Sequence, residues 1–166
     1  MTAARSLALV ALPVLGADLL TKRLAVADLQ PPYVPHRVLG DAVRLTLSYN
    51  PQGVMGLPAG PYARWLLSGL TVVVLVALAG MLVRTHVGER LRATALALII
   101  GGALGNLVSR LAGGGGVVDF IDVGTASWRF WTFNVADVAI DTGIALLAWA
   151  MWRASRRTAV GPAAHP

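Results

Sequence analysis

Seven aspartates and one glutamate are the only carboxylates in this chain of 166 residues, and two of the aspartates stand where a pair could do chemistry. Asp119 and Asp137 have no cation close to them in sequence. Each sits in an apolar setting, Val117-Val118-Asp119-Phe120-Ile121 and Asn134-Val135-Ala136-Asp137-Val138. Two neighbouring carboxylates cannot both ionise readily, so they share a proton and titrate as a unit. The ionised member can activate a water as general base while the protonated one polarises a carbonyl. Paired aspartates hydrolyse peptide bonds in this way without a serine, a thiol or a metal.

Other polar residues fall at helical spacing. Asp18 and Lys22 are four apart and share a helix face, as do Asn106 and Arg110, and Asn134 and Asp137 are three apart. Asp122 and Asp141 are the remaining candidate carboxylates, with Asp141 one turn beyond Asp137. Ser109 has no histidine near it to act as a base and is not read as a nucleophile. The chain has no cysteine, which removes disulfides and thiol chemistry, and His36, His86 and His165 lack the spacing of metal ligands. No metal and no cofactor is expected.

These residues must be positioned by membrane-spanning helices. The chain is 56% hydrophobic and 13% charged, with a mean hydropathy of +0.67, whereas soluble domains carry about 25% charged residues. Apolar stretches long enough to cross a bilayer, about 20 residues each, fall at about 6–29, 65–83, 93–108 and 135–152. The first resembles a signal peptide only superficially, because Asp18, Lys22 and Arg23 interrupt it, and it is read as a retained helix. A charge at the bilayer centre costs about 2.5–3.5 kcal/mol on the insertion scale, so the polar residues in these spans need a reason. Gly101 and Gly102 are read as small residues that let helices approach.

Basic residues set the expected orientation. Arg5, Arg84, Arg90, Arg92, Arg153, Arg156 and Arg157 flank the spans on one side, with Glu89 the only acid among them. By the positive-inside rule that side, and both termini, are cytoplasmic. The net charge of +6 is distributed in this way rather than as a nucleic-acid surface, and no nucleic-acid partner is expected. On the opposite side lie two segments. One carries the alternation Val43-Arg44-Leu45-Thr46-Leu47-Ser48-Tyr49, a strand signal. The other holds the glycine run 113–116 followed by Asp119. Trp65, Trp128 and Trp131 are placed at the outer interface, and Trp149 and Trp152 at the inner one.

The ordered set Asp18-Leu19-Leu20-Thr21-Lys22, Gly101-Gly102-Ala103-Leu104-Gly105-Asn106, Val117-Val118-Asp119-Phe120-Ile121-Asp122 and Phe133-Asn134-Val135-Ala136-Asp137 resembles the lipoprotein signal peptidases, signal peptidase II. The resemblance covers about residues 6–152. It implies an all-α membrane protein of four transmembrane helices with a small extracytoplasmic β-sheet. It further implies an aspartyl endopeptidase with Asp119 and Asp137 catalytic and Asp18, Lys22, Asn50, Asn106, Arg110 and Asn134 in support. The implied substrate is a diacylglyceryl-modified prolipoprotein, cut N-terminal to its lipidated cysteine near the extracytoplasmic face of the cytoplasmic membrane, and globomycin-type inhibitors are implied as ligands. Two positions depart from the family pattern. Ser109 replaces the usual Asp before Arg110, and Asn50 is one residue further from Gly53 than the family's Asn-x-Gly spacing.

A proton-coupled transporter component and a non-catalytic assembly protein are the rival readings. The first lacks ionisable residues at mid-depth in spans two and three, and the second needs no aspartate pair. One peptidase domain is expected over 1–157, with a disordered tail over 158–166.

Overall fold

The computed structural model describes residues 2–51, 62–86, 88–112 and 115–159. Among the described residues, four helices are long and apolar enough to cross a membrane: α1 (Ala3–Asp28), α2 (Ala63–Val83), α3 (Arg90–Ala112) and α4 (Val135–Ala159). Three strands, β1 (His36–Leu39), β2 (Val43–Asn50) and β3 (Val117–Val123), form one antiparallel sheet in that order. The expected four spans and small sheet are both present.

Boundaries moved where polarity misled hydropathy. The third span, expected at 93–108, runs through Asn106 and Arg110 to Ala112, because side chains that find partners inside the protein do not end a helix. Pro13 in α1 has no N–H for the carbonyl one turn back, and the turn before it, Leu7–Ala11, widens to a π-helix. Helix α4 continues to Ala159, so the first two residues of the expected tail are helical, and 160–166 lie outside the described residues.

Helix α3 is the centre of the bundle. Within its apolar window 67% of residues are buried in protein, against 11–17% for the other three helices, so lipid meets mainly α1, α2 and α4. Small residues bring the helices close. A Cβ on Gly101 would come 2.7 Å from the Ala11 carbonyl oxygen, and one on Gly102 would come 2.4 Å from that of Ala136. Their reading as packing residues fits these contacts. Exposed apolar side chains such as Leu9, Leu20, Val73, Val76 and Ile144 cover the outside.

The sheet joins the bundle at one end. Leu47 and Phe120 of the sheet pack with Ala25 and Leu29 at the end of α1. Ser48 lies opposite Asp119 and Asn50 opposite Val117. The stretch between β3 and α4 folds back on β3: Phe133 donates its N–H to Ile121 O at 3.0 Å, and its carbonyl accepts from Phe120 and Ile121. The residue after Phe133 is therefore carried to the middle of β3.

Candidate active site

That next residue is Asn134, and it stands at the N-cap of α4. Its Oδ1 accepts the Asp137 N–H at 3.0 Å, while Asp137 Oδ2 accepts the Asn134 N–H at 3.1 Å. This reciprocal pair is a capping box built from Asn and Asp. It satisfies two backbone donors at the helix start and places the Asp137 carboxylate in the positive first turn of the helix. Asn134 Nδ2 donates to Asp119 Oδ1 at 2.6 Å and lies 3.3 Å from Val118 O. One fully buried side chain thus holds both sequence-predicted aspartates.

A second line of contacts enters from the bundle. Asp18 Oδ1 accepts the Ala136 N–H at 2.9 Å, capping another donor of the first turn of α4. Asp18 Oδ2 pairs with Lys22 Nζ at 2.7 Å, and Lys22 also donates to Asn106 Oδ1 at 2.9 Å. With its oxygen turned to Lys22 and to Asn134 Nδ2, 3.2 Å away, Asn106 directs its Nδ2 to Asp137 Oδ1 at 2.8 Å. Buried charges are tolerated where each is paired and hydrogen-bonded, and this chain meets both conditions. Asp18, Lys22, Asn106, Asn134, Asp119 and Asp137 form one connected network across α1, α3, β3 and α4.

Asn50 completes the Asp119 environment with a side-chain hydrogen bond. Burial, followed by the nearby Asp137 charge, pushes the Asp119 carboxyl up to about 6; the hydrogen bonds from Asn134 and Asn50 and the Lys22 charge hold it down in part. Gly116, before β3, has φ +125°, and a Cβ there would fall 2.2 Å from Asn50 O. Glycine lets β3 begin tight against the end of β2. Gly113 and Gly114 of the same run lie outside the described residues, as does the altered stretch after Asn50 from Gln52 onward.

The other residues singled out from the sequence lie outside this network. Arg110 does not join the network: among the described residues its hydrogen-bond partner is Thr71 Oγ1 of α2, at 3.4 Å, and it makes no bond to Asn106 one turn away. Ser109 donates its hydroxyl to Gly105 O at 3.1 Å, a helix back-bond that accounts for its proton. Asp141 is exposed and has no hydrogen bond among the described residues, and Asp122 faces a different cluster, bonded by Arg129 at 2.8 Å and Thr46 at 3.1 Å. Gly105 has a role that spacing alone did not assign. A Cβ there would lie 2.3 Å from Asp18 Oδ2, so the glycine vacates the space for that carboxylate.

Beside the network a cavity of about 380 Å³ opens between α1 and α3 under the sheet. Lys22, Tyr49, Ser109 and Val118 are among its walls, with Leu19 and Val108 on the helices. Neither catalytic candidate lines it directly, but Val118 adjoins Asp119.

Residues 10–153 match the family model described as signal peptidase (SPase) II. The chain belongs to this family. The resemblance read from the ordered motifs is thereby borne out. A lipoprotein signal peptidase of Paraburkholderia phytofirmans is 41% identical over 140 residues, covering 83% of this chain and 79% of the relative. One from Escherichia coli is 43% identical over 117 residues, 66% of this chain and 71% of its own. Among solved structures, a bacterial membrane enzyme determined by the in meso method superposes with a TM-score of 0.80 at 25% identity, over 95% of this chain and 92% of that one. A second, also determined in meso, gives 0.75 at 27% identity, over 86% and 90%. The signal peptidase II member described here is a membrane-embedded aspartic peptidase.

Proposed function

We propose that Asp119 and Asp137 are the catalytic pair with which this family member removes the signal peptide of prolipoproteins. The observation that carries the assignment is the single Asn134 side chain that ties Asp119 to the helix start bearing Asp137. Both oxygens of Asp137 already accept N–H donors, which suits it to stay an acceptor and take a proton from water. Asp119, with its carboxyl raised to about 6, holds the shared proton. Water attacks the scissile carbonyl carbon, its proton passes to Asp137, and the Asp119 proton passes to the carbonyl oxygen. The C–N bond then breaks, the amine leaves with the proton from Asp137, and Asp119 recovers its own from the diol.

Asn50, Asn106, Asn134, Asp18 and Lys22 position the pair. Arg110, hydrogen-bonded to Thr71 Oγ1, is assigned to substrate backbone. The substrate is a prolipoprotein whose cysteine already carries diacylglycerol. Its signal helix enters from the bilayer by the cavity between α1 and α3, its acyl chains stay in the leaflet, and cleavage falls N-terminal to the cysteine. One domain over 1–157 does this work, and globomycin-type inhibitors occupy the same site.

The test is cleavage of a diacylated prolipoprotein peptide by purified protein in detergent. Wild type is expected to cut before the lipidated cysteine, globomycin to block it, and Asp119→Asn and Asp137→Asn each to lose on the order of 10⁴-fold, the upper range for acid–base groups. Turnover retained by either folded variant would remove that aspartate from the pair.

The sheet end is proposed to face the extracytoplasmic side of the cytoplasmic membrane, with both termini in the cytoplasm. The arginines clustered at the other end support this. Because the chain has no cysteine, single Thr125→Cys and Ser155→Cys variants can be labelled in intact spheroplasts with an impermeant maleimide. Only the first should react, and labelling of the second would reverse the orientation.

A further inference from the structure

At the end of the bundle opposite the sheet, the start of α3 and the last turns of α4 border an open cavity of about 440 Å³. Arg90, Arg92 and Arg153 line it, together with apolar Leu91 and Met151. Glu89 is the one carboxylate on its wall, and it is engaged: Oε2 accepts the His86 N–H at 2.9 Å and Oε1 faces Arg92 at 3.3 Å. Positive charge is therefore in excess there.

The cavity's depth is fixed by its neighbours. Trp149 and Trp152, on the same turns of α4, have ring centroids 5.0 Å apart, and the Arg156 guanidinium lies 5.1 Å over Trp152. Tryptophans concentrate at the headgroup level of a bilayer. Orientation alone would require basic residues on this side, but it does not require three of them to converge on one recess between two spans. Guanidinium forks match phosphate oxygens, and basic pockets between transmembrane helices take anionic headgroups. The apolar part of the wall suits the glycerol and first acyl carbons.

We propose that this cavity binds the headgroup of an anionic phospholipid, with the phosphate held by Arg90, Arg92 and Arg153. From Arg90 to Asn106 along α3 is about 24 Å at 1.5 Å per residue, so the site is separate from the aspartates and does not depend on their assignment.

Native mass spectrometry of the protein in neutral detergent tests this, titrating phosphatidylglycerol and phosphatidylcholine. A saturable phosphatidylglycerol adduct is expected, with no matching phosphatidylcholine adduct. Each arginine near the surface should contribute about fivefold, so Arg90→Ala/Arg153→Ala should bind roughly 25-fold more weakly. Arg90→Lys/Arg153→Lys, which keeps the charge, should retain most of the affinity. Cleavage activity measured in phosphatidylcholine should not change in any of these variants. Glycerol 3-phosphate added at the lipid's concentration should fail to compete; competition would make this a soluble-phosphate site and overturn the lipid proposal. Equal binding of the two lipids would overturn it as well. Should the double alanine variant not fold, Arg153→Glu alters one exposed side chain, and unchanged phosphatidylglycerol binding by it would have the same force.

Discussion

Asn134 Nδ2 lies 2.6 Å from Asp119 Oδ1 while Asn134 Oδ1 caps the N–H of Asp137. The two halves of one amide thus do separable jobs, and substitution can divide them. Asn134→Ala loses both the cap, worth about 1 kcal/mol, and the link to Asp119. Asn134→Ser keeps a capping oxygen but has no amide to reach across. Thermal unfolding should find Asn134→Ser close to wild type and Asn134→Ala lower. Both should lose about 10²–10³-fold in kcat, the usual effect of removing a preorganised donor, with KM little changed. Full activity in Asn134→Ser would mean that the Asp119 contact is only structural.

The raised Asp119 carboxyl ties stability to pH. Its folded value of about 6 exceeds the ordinary 3.8, so the folded state binds the proton more tightly than the unfolded chain. Stability from this group is complete below about pH 4 and is lost as pH rises to about 6. Asp119→Asn cannot ionise, so across that window the unfolding midpoint of wild type in detergent should fall relative to that of the variant. The same proton is the one donated to the substrate carbonyl, so kcat/KM should fall as pH rises above about 6. Parallel stability curves for the two proteins would show that Asp119 titrates no differently when folded.

Most of the fold was legible because bilayer physics leaves few choices. Length and hydropathy place four spans, and alternation places β2. That Asp119 and Asp137 would stand in one polar network was legible from residue type and setting, since neither has a local cation to explain it. The connection between them was not. Asn134 meets Asp119 because Phe133 pairs back on β3, a non-local contact that sequence periodicity does not carry. Arg110 was drawn to Asn106 by helical spacing, but spacing says only that two side chains share a face, and Thr71 on α2 offered Arg110 another partner. What Gly105 does was not legible, because it depends on Asp18, 87 positions away in the chain.

The glycines of α3 should respond differently to one added methyl. In Gly102→Ala the Cβ meets backbone, the Ala136 carbonyl at 2.4 Å, so α3 and α4 must separate. In Gly105→Ala it meets the Asp18 carboxylate at 2.3 Å, a side chain that can swing if it abandons its partners. Overpacking of this kind costs about 1–3 kcal/mol. Gly102→Ala should show the larger drop in unfolding temperature. Gly105→Ala should show the larger loss of activity per degree lost, since moving Asp18 releases both Ala136 N–H and Lys22. Equal activity losses in the two would place Asp18 outside the positioning of the pair.

Lys22 is the cation on which the network turns. Its Nζ sits 2.7 Å from Asp18 and 2.9 Å from Asn106, almost fully buried. Removing one partner of a buried ion pair strands the other charge and costs about 3–5 kcal/mol. Lys22→Met should therefore unfold well below wild type. Adding Asp18→Asn removes the stranded charge and keeps an oxygen for the Ala136 N–H, so the double variant should recover most of that stability. Catalysis should not return with it, because Asn106 Oδ1 still lacks the Lys22 donor that turns its Nδ2 toward Asp137. Unfolding and cleavage measured on the same three proteins separate the two effects. Recovery of both together would reduce Lys22 to a structural counter-charge, whereas stability without turnover makes it a positioning residue for Asp137.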